Sequence, residues 1–193
     1  MNRSVLYIVN PIAGKKGRKQ RILSQLKASG ADIVYTEYAG HATELARSAG
    51  SDVVVAVGGD GTLNEVARGL VGTEKILGLM PCGSGDGLAR HLGIRGSFRH
   101  MEDIIRHGKV QSLDYARING RPFFSVSGVG LDAIVSERFA KAGKRGLWTY
   151  VEQAVKTWSG FVPEKYTVTI DGSTLEREAG LITVANSNQW GNG

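Results

Sequence analysis

The chain has 193 residues, among them 27 Gly, 4 Pro and 1 Cys, and 41% are hydrophobic. That hydrophobic share without a glycine period excludes a disordered or collagen-like chain, and a lone Cys82 excludes an internal disulfide or a Cys/His zinc cluster. The formal charge is +6, and residues 1–30 carry seven bases (Arg3, Lys15, Lys16, Arg18, Lys19, Arg21, Lys27) and no acid, which points to a local polyanion: nucleotide phosphates, an anionic membrane or nucleic acid.

Strands and helices alternate through the first hundred residues. Runs at 5–9, 32–36, 53–57 and 76–80 read as strands, with helices near 18–29, 41–49, 63–71, 84–92 and 98–107. The run Val53-Val54-Val55-Ala56-Val57 is apolar throughout, as a strand covered on both faces should be. This pattern predicts an α/β fold, a doubly wound and mostly parallel sheet with helices on both faces, over residues 1–109.

From about 110 the pattern changes. Strands at 110–118 and 121–127 flank Asn119-Gly120, a hairpin signal. A helical piece follows Asp132 and another covers 147–158; strands near 165–170 and 180–185 are joined through Asp171-Gly172. Residues 110–193 therefore read as the start of a second, β-rich domain. The closing Asn188-Gln189-Trp190-Gly191-Asn192-Gly193 is a glycine-rich loop straight after a strand, so the expectation is a fragment with its second domain truncated. No internal repeat, signal-peptide core or apolar run of about 20 residues is present, and a cytoplasmic protein, soluble or peripheral to the membrane, is expected.

Four glycine-bearing loops follow the first four strands. The richest is Gly58-Gly59-Asp60-Gly61-Thr62-Leu63-Asn64-Glu65, at the end of an apolar strand and the start of a helix. Glycine lets backbone approach phosphate, and unpaired N–H groups at a helix start attract anions. Asp60 there suits either a metal ligand or a proton acceptor. Asn10-Pro11-Ile12-Ala13-Gly14-Lys15-Lys16-Gly17 is a basic glycine loop without the spacing of a P-loop. Thr36-Glu37-Tyr38-Ala39-Gly40-His41 and Pro81-Cys82-Gly83-Ser84-Gly85-Asp86-Gly87 complete the set. Ligands of doubly wound sheets bind beyond the carboxyl ends of the strands, so all four loops are expected along one edge. His41 reads as a cap or surface residue more readily than as a catalyst, and Cys82 as a small packing residue more readily than as a nucleophile.

Three of these segments carry a resemblance. Asn-Pro-x-x-Gly-Lys at 10–15, Gly-Gly-Asp-Gly-Thr-x-Asn-Glu at 58–65 and Pro-x-Gly-Ser at 81–84 resemble, in order and spacing, the catalytic domain of the diacylglycerol kinase family, which includes bacterial lipid kinases and sphingosine kinases. The likeness is close from residue 4 to about 135 and looser to 193. It implies ATP contacts from Asn10, Pro11, Ile12, Ala13, Gly14 and Lys15, from Thr36, from Gly59, Asp60, Gly61, Thr62, Leu63, Asn64 and Glu65, and from Ser84. It also implies Asp60 as the catalytic position and Mg²⁺ held through Asp60 and Asp114. Gly128-Val129-Gly130-Leu131-Asp132-Ala133 is similar to a family segment at the domain junction, although Asp132 reads equally as a helix cap. Two positions depart from the family pattern: Asp86 stands where many members have Asn, and Gly87 where many bacterial members have Asp. An acid at 86 would repel phosphate or alter contacts to the base. Gly-Ser-Gly-x is closer to the sphingosine kinase pattern.

The expected activity is transfer of the ATP γ-phosphate to a lipid hydroxyl, diacylglycerol-like or sphingoid-like, with ATP and Mg²⁺ as cofactors and a transient anionic membrane surface as partner; a homodimer stays open. The stripe Leu147, Tyr150, Val151, Ala154, Val155 and Trp158 fits a helix packed on the second domain's sheet, or part of an acyl-chain pocket or membrane-facing surface rimmed by Lys144 and Arg145. Two rivals are an NAD kinase-like enzyme with a soluble substrate, and a non-catalytic nucleotide- or nucleic-acid-binding module using the basic run 15–21. That run has no interleaved aromatics for base stacking, so no nucleic acid is expected.

Overall fold

A computed structural model describes residues 3–14, 16–94, 97–131, 133–135 and 161–188. Lys15, Asp132 and the expected helix over 147–158 lie outside the described residues. The chain forms two compact units, residues 1–125 with 186–193 and residues 126–185.

In the first unit, β1 (Val5–Val9), β2 (Asp32–Tyr35), β3 (Val53–Gly58) and β4 (Ile76–Pro81) form a parallel sheet in the order β2-β1-β3-β4. Side chains alternate between its two faces. Leu6, Ile8, Val54 and Ala56 point to one, where α2 (His41–Ser48) and α3 (Asp60–Leu70) bury Ala42, Ala46, Val66 and Leu70. Tyr7, Val9, Val55 and Val57 point to the other, where α1 (Lys16–Ala28) and α5 (Phe98–His107) bury Ile22, Leu26, Met101 and Ile105. Every residue of β3 is buried, as a central strand covered on both faces requires. The chain turns from β1 one way to β2 and later the other way to β3, so the switch point falls between the carboxyl ends of β1 and β3.

Several expected boundaries move. The helix after β3 starts at Asp60, so the glycine motif is its first turn rather than a loop before it. The next helix, α4 (Gly87–His91), is five residues long because Ser84 to Asp86 bend away from the helix axis and Asp86 takes a left-handed φ of 53°. The expected strand at 110–118 shrinks to β5 (Ala116–Ile118), since the polar stretch before it pairs with no strand. The run at 121–127 divides into β6 (Arg121–Phe123), paired with β5 across Asn119-Gly120, and β7 (Val126–Gly130).

The second unit pairs β7 with β10 (Leu181–Ala185) and β8 (Glu164–Ile170) with β9 (Ser173–Ala179), both antiparallel. Asp171-Gly172 joins β8 to β9 rather than to the last strand. Positive φ at both residues, 50° and 79°, makes the two-residue turn that matches strand twist. The charged sequence of β9 has no apolar alternation and reads as surface; pairing with β8 makes it a strand.

At the amino edge of the sheet, the Asp52 carboxylate accepts hydrogen bonds from the Ser4 amide and hydroxyl, both at 2.8 Å, which joins the starts of β1 and β3. The Ser4 amide, then its hydroxyl, hold the Asp52 carboxyl below its ordinary pKa. A depressed carboxylate stabilises the fold above its unfolded pKa and loses that contribution as pH falls through the folded value. Asp52→Asn should therefore lower the thermal midpoint at neutral pH, with the gap to wild type closing below about pH 4; thermal melts between pH 3 and 8 measure this, and a gap that persists unchanged at pH 3 contradicts it.

Candidate functional site

The site is built by hydrogen bonds that run past the ends of the strands. Thr36 donates its amide to the Val9 carbonyl at 2.9 Å, Asn10 to Val57 at 3.2 Å and Cys82 to Gly58 at 2.9 Å. All four loops thus leave the sheet along one edge, as expected. They also touch. Gly14 has a φ of +83°, and a Cβ there would stand 2.6 Å from the Cys82 carbonyl oxygen. A Cβ on Gly83 would stand 2.9 Å from the Gly59 Cα and 2.6 Å from Asp86 Oδ1. The first loop therefore backs onto the fourth, and the third onto the fourth, with no room for side chains between.

Asp60 fastens the third loop to the fourth. Its Oδ2 accepts from the Asp86 amide at 2.9 Å and its Oδ1 from the Gly87 amide at 2.7 Å. The residue read from sequence as a metal ligand or proton acceptor is also the cap of α4, a role the motif alone did not reveal. Asp86 in turn accepts from the Gly83 amide at 2.9 Å, and its other oxygen lies 3.9 Å from the Arg18 guanidinium. Burial first, then the charge of Asp60, push the Asp86 carboxyl above its ordinary pKa; the Gly83 amide, Arg18 and Arg90 oppose this.

The remaining expected residues divide. Asn10 Oδ1 accepts from the Ile12 and Ala13 amides at 3.0 and 3.1 Å, so those two N–H groups are engaged inside the loop. The Pro11 carbonyl accepts from Lys19, and Ile12 is 79% exposed at the loop tip. In α3, Gly61 faces solvent, Leu63 belongs to the core, and the Glu65 carbonyl accepts from the Thr43 hydroxyl at 2.8 Å. Thr62 Oγ1 and Asn64 Oδ1 are buried without a hydrogen-bond partner. Thr36 is buried and Ser84 exposed. Asp114 lies apart from these loops in the chain, exposed between α5 and β5, with its main-chain carbonyl accepting from Asn186 at 2.8 Å. Among the described residues no three His, Cys, Asp or Glu side chains gather as a metal cluster.

The first turn of α3 has no side-chain cap. Its N–H groups, at the switch point beside Gly83, lie at the positive end of the helix, where negative charge is favoured. The first turn of α1 carries no acid, and Lys16, Arg18 and Lys19 crowd an end where the helix dipole disfavours cations. Two residues weighed in the sequence have local roles. His41 accepts from the Glu37 amide at 3.1 Å and stacks on Tyr38 with ring centroids 4.5 Å apart. Cys82 is packed in the core, and burial above all raises its thiol pKa, which disfavours the nucleophilic thiolate.

Residues 4–118 match the diacylglycerol kinase catalytic domain, and residues 125–193 match the YegS C-terminal NAD kinase beta sandwich-like domain. The chain belongs to the diacylglycerol kinase catalytic domain family. It is 28% identical to the diacylglycerol kinase of Bacillus subtilis over 95% of this chain and 65% of that protein. A diacylglycerol kinase of Mycobacterium tuberculosis is 26% identical, over 98% of this chain and 66% of that protein. The crystal structure of a diacylglycerol kinase from Bacillus anthracis superposes with a TM-score of 0.70 at 29% identity, over 98% of this chain and 66% of that one. The chain thus spans about two thirds of the length of these relatives.

The loop contacts separate two glycines of the first motif. Gly14→Ala should destabilise by about 1–3 kcal/mol, through its positive φ and the Cys82 carbonyl. Gly17 lies in α1 with nothing within 4 Å of a Cβ, so Gly17→Ala should stabilise by about 0.5–1 kcal/mol. Urea unfolding measures both, and equal effects contradict the assigned contact.

Proposed function

We propose that the protein is an ATP-dependent lipid kinase, transferring the γ-phosphate of ATP to the hydroxyl of a diacylglycerol-like or sphingoid-like lipid. The observation that carries this reading is the uncapped start of α3 at the switch point, walled by the Gly59–Gly83 contact, with Arg18 of the basic first turn of α1 reaching the fourth loop at Asp86. Phosphoryl transfer depends on positioning and charge neutralisation more than on covalent help from the protein, and such an arrangement supplies both. Family membership and the names of the relatives above support a kinase with a lipid substrate.

In this reading the α3 amides bind the phosphates, and the Thr62 hydroxyl, buried without a partner, is a further donor, whereas the unpartnered Asn64 Oδ1 is an acceptor and suits a cation or a ligand donor rather than phosphate. The loop 10–14, Thr36 and Ser84 border the nucleotide. Asp60 orients α4 and the fourth loop through its two amide bonds. Each of its oxygens retains a second lone pair, so it can still accept a proton or meet a cation. One or two carboxylates plus phosphate oxygens and water is the usual complement for Mg²⁺, so Asp60 fits an ion that arrives with the nucleotide, with Asp114 as a second proposed contact. Such an ion would neutralise phosphate charge. Among the described residues no helix is long and apolar enough to cross a membrane, which fits a lipid met at an anionic surface.

Radiolabelled ATP offered to the full-length protein with total lipid extract and, separately, with NAD tests the proposal, because residues beyond those of this chain can be needed for turnover. Labelled lipid is expected; label on NAD alone, or on neither, refutes it. Asp60→Asn should lower transfer at least about a hundredfold, because an amide supplies only one acceptor and no base. Its far-UV circular dichroism should stay native, since α4 is short. Wild-type turnover by this variant would remove Asp60 from the mechanism.

A further inference from the structure

Arg18 and Asp86 lie on different elements of the site edge. Arg18 sits in the first turn of α1, directly after the loop that packs on Cys82; Asp86 lies in the fourth loop, three residues past Gly83. The two groups are 3.9 Å apart, with the Arg18 side chain 43% exposed and that of Asp86 11%. The pair therefore joins the first turn of α1 to the fourth loop, beside the proposed phosphate site at the α3 start. It is lopsided: a largely buried carboxylate faces a mobile-length, half-exposed cation.

Asp86 needs no charge for its other tasks. Its Oδ1 accepts from the Gly83 amide, which an Asn oxygen does equally well. Its left-handed φ of 53° is one that Asn tolerates at least as readily. The Asp60 carboxylate, held by the Asp86 main-chain amide, also acts unfavourably on the Asp86 charge. Arg90 of α4 is a second cation acting on it. What the charge adds is an attraction for Arg90 and for the Arg18 guanidinium, the one of the two that reaches it from α1, beside the proposed phosphate site. Arginine is the side chain best suited to exchange a carboxylate for a phosphate, because its planar fork matches both.

We propose that Arg18 is shared between Asp86 and the nucleotide, so that a bound triphosphate takes the guanidinium from Asp86, and Asp86 thereby sets how much phosphate charge the site demands. This rests on the reading of the α3 start as the phosphate site. Asp86 is then a specificity-determining residue: it holds back weakly charged ligands more than a triphosphate, which competes better for Arg18.

Titration calorimetry with ATP and with inorganic tripolyphosphate, on wild type, Asp86→Asn, Arg18→Gln and the double variant, tests this. Asp86→Asn should bind both ligands roughly three- to tenfold tighter, the scale of a partly exposed ion pair, and Arg18→Gln should bind them weaker. The decisive reading is the coupling: the gain from Asp86→Asn should largely vanish in the Arg18→Gln background. An equal gain in both backgrounds means Asp86 acts by repulsion alone and overturns the exchange, as does no gain at all. Thermal melts of Asp86→Asn that match or exceed wild type are expected; a collapsed midpoint means that the charge is structural and also overturns the exchange. Wild type binding neither ligand overturns the phosphate site itself, and this inference with it.

Discussion

The contact on which the site depends is the pair of hydrogen bonds from the Asp86 and Gly87 amides to the Asp60 carboxylate. A parallel sheet brings the carboxyl ends of its strands to one edge, but it does not bring the loops beyond them into register. Here the loop after β4 is drawn back onto the start of α3 by a side chain from α3 itself. The Gly59–Gly83 approach follows, because two backbones held that close leave no volume for a Cβ. The first loop then closes against Cys82 on the same wall. One carboxylate thus shapes the space around a helix start whose own N–H groups no side chain caps.

This dual use of Asp60 constrains its chemistry. A carboxylate accepting two main-chain amides is fixed in orientation. It is better suited to hold a direction, toward a cation or a hydroxyl proton, than to move. An acid at the positive end of a helix is electrostatically favourable in its own right; in the proposed reading a counter-cation would keep it from repelling phosphate. Lys16, Arg18 and Lys19 crowd the amino end of α1, and Arg18 reaches the fourth loop at Asp86.

The sheet was legible because burial on both faces leaves a plain mark: an unbroken apolar run at 53–57, short strands at regular spacing, and glycine loops after each. The four strands, and the convergence of their loops, follow from that. What the residues did not disclose is how the loops close. Asn10 reads as a phosphate contact, yet its side chain satisfies the Ile12 and Ala13 amides; Leu63 sits inside the nucleotide motif, yet it packs in the core. Hydrogen bonds within a loop depend on where neighbouring loops lie, and that information is non-local. The antiparallel region was harder for a different reason. The charged strand β9 has no inward-facing apolar set, so nothing in its own sequence marks it; only its pairing with β8 does.

Asp86 shows how a departure from a family pattern gains meaning from position. As a bare substitution it is only an acid where phosphate is expected. In the structure it replaces none of the backbone functions of an amide side chain: the Gly83 bond and the left-handed turn are both served. Its extra charge acts on three neighbours, Asp60 unfavourably and Arg18 and Arg90 favourably. Burial and Asp60 disfavour the ionised group, and the half-exposed Arg18 is a weak counterweight. A charge so disfavoured, placed at the rim of the proposed phosphate site and within reach of a cation from α1, is most simply understood through the ligand that competes for that cation.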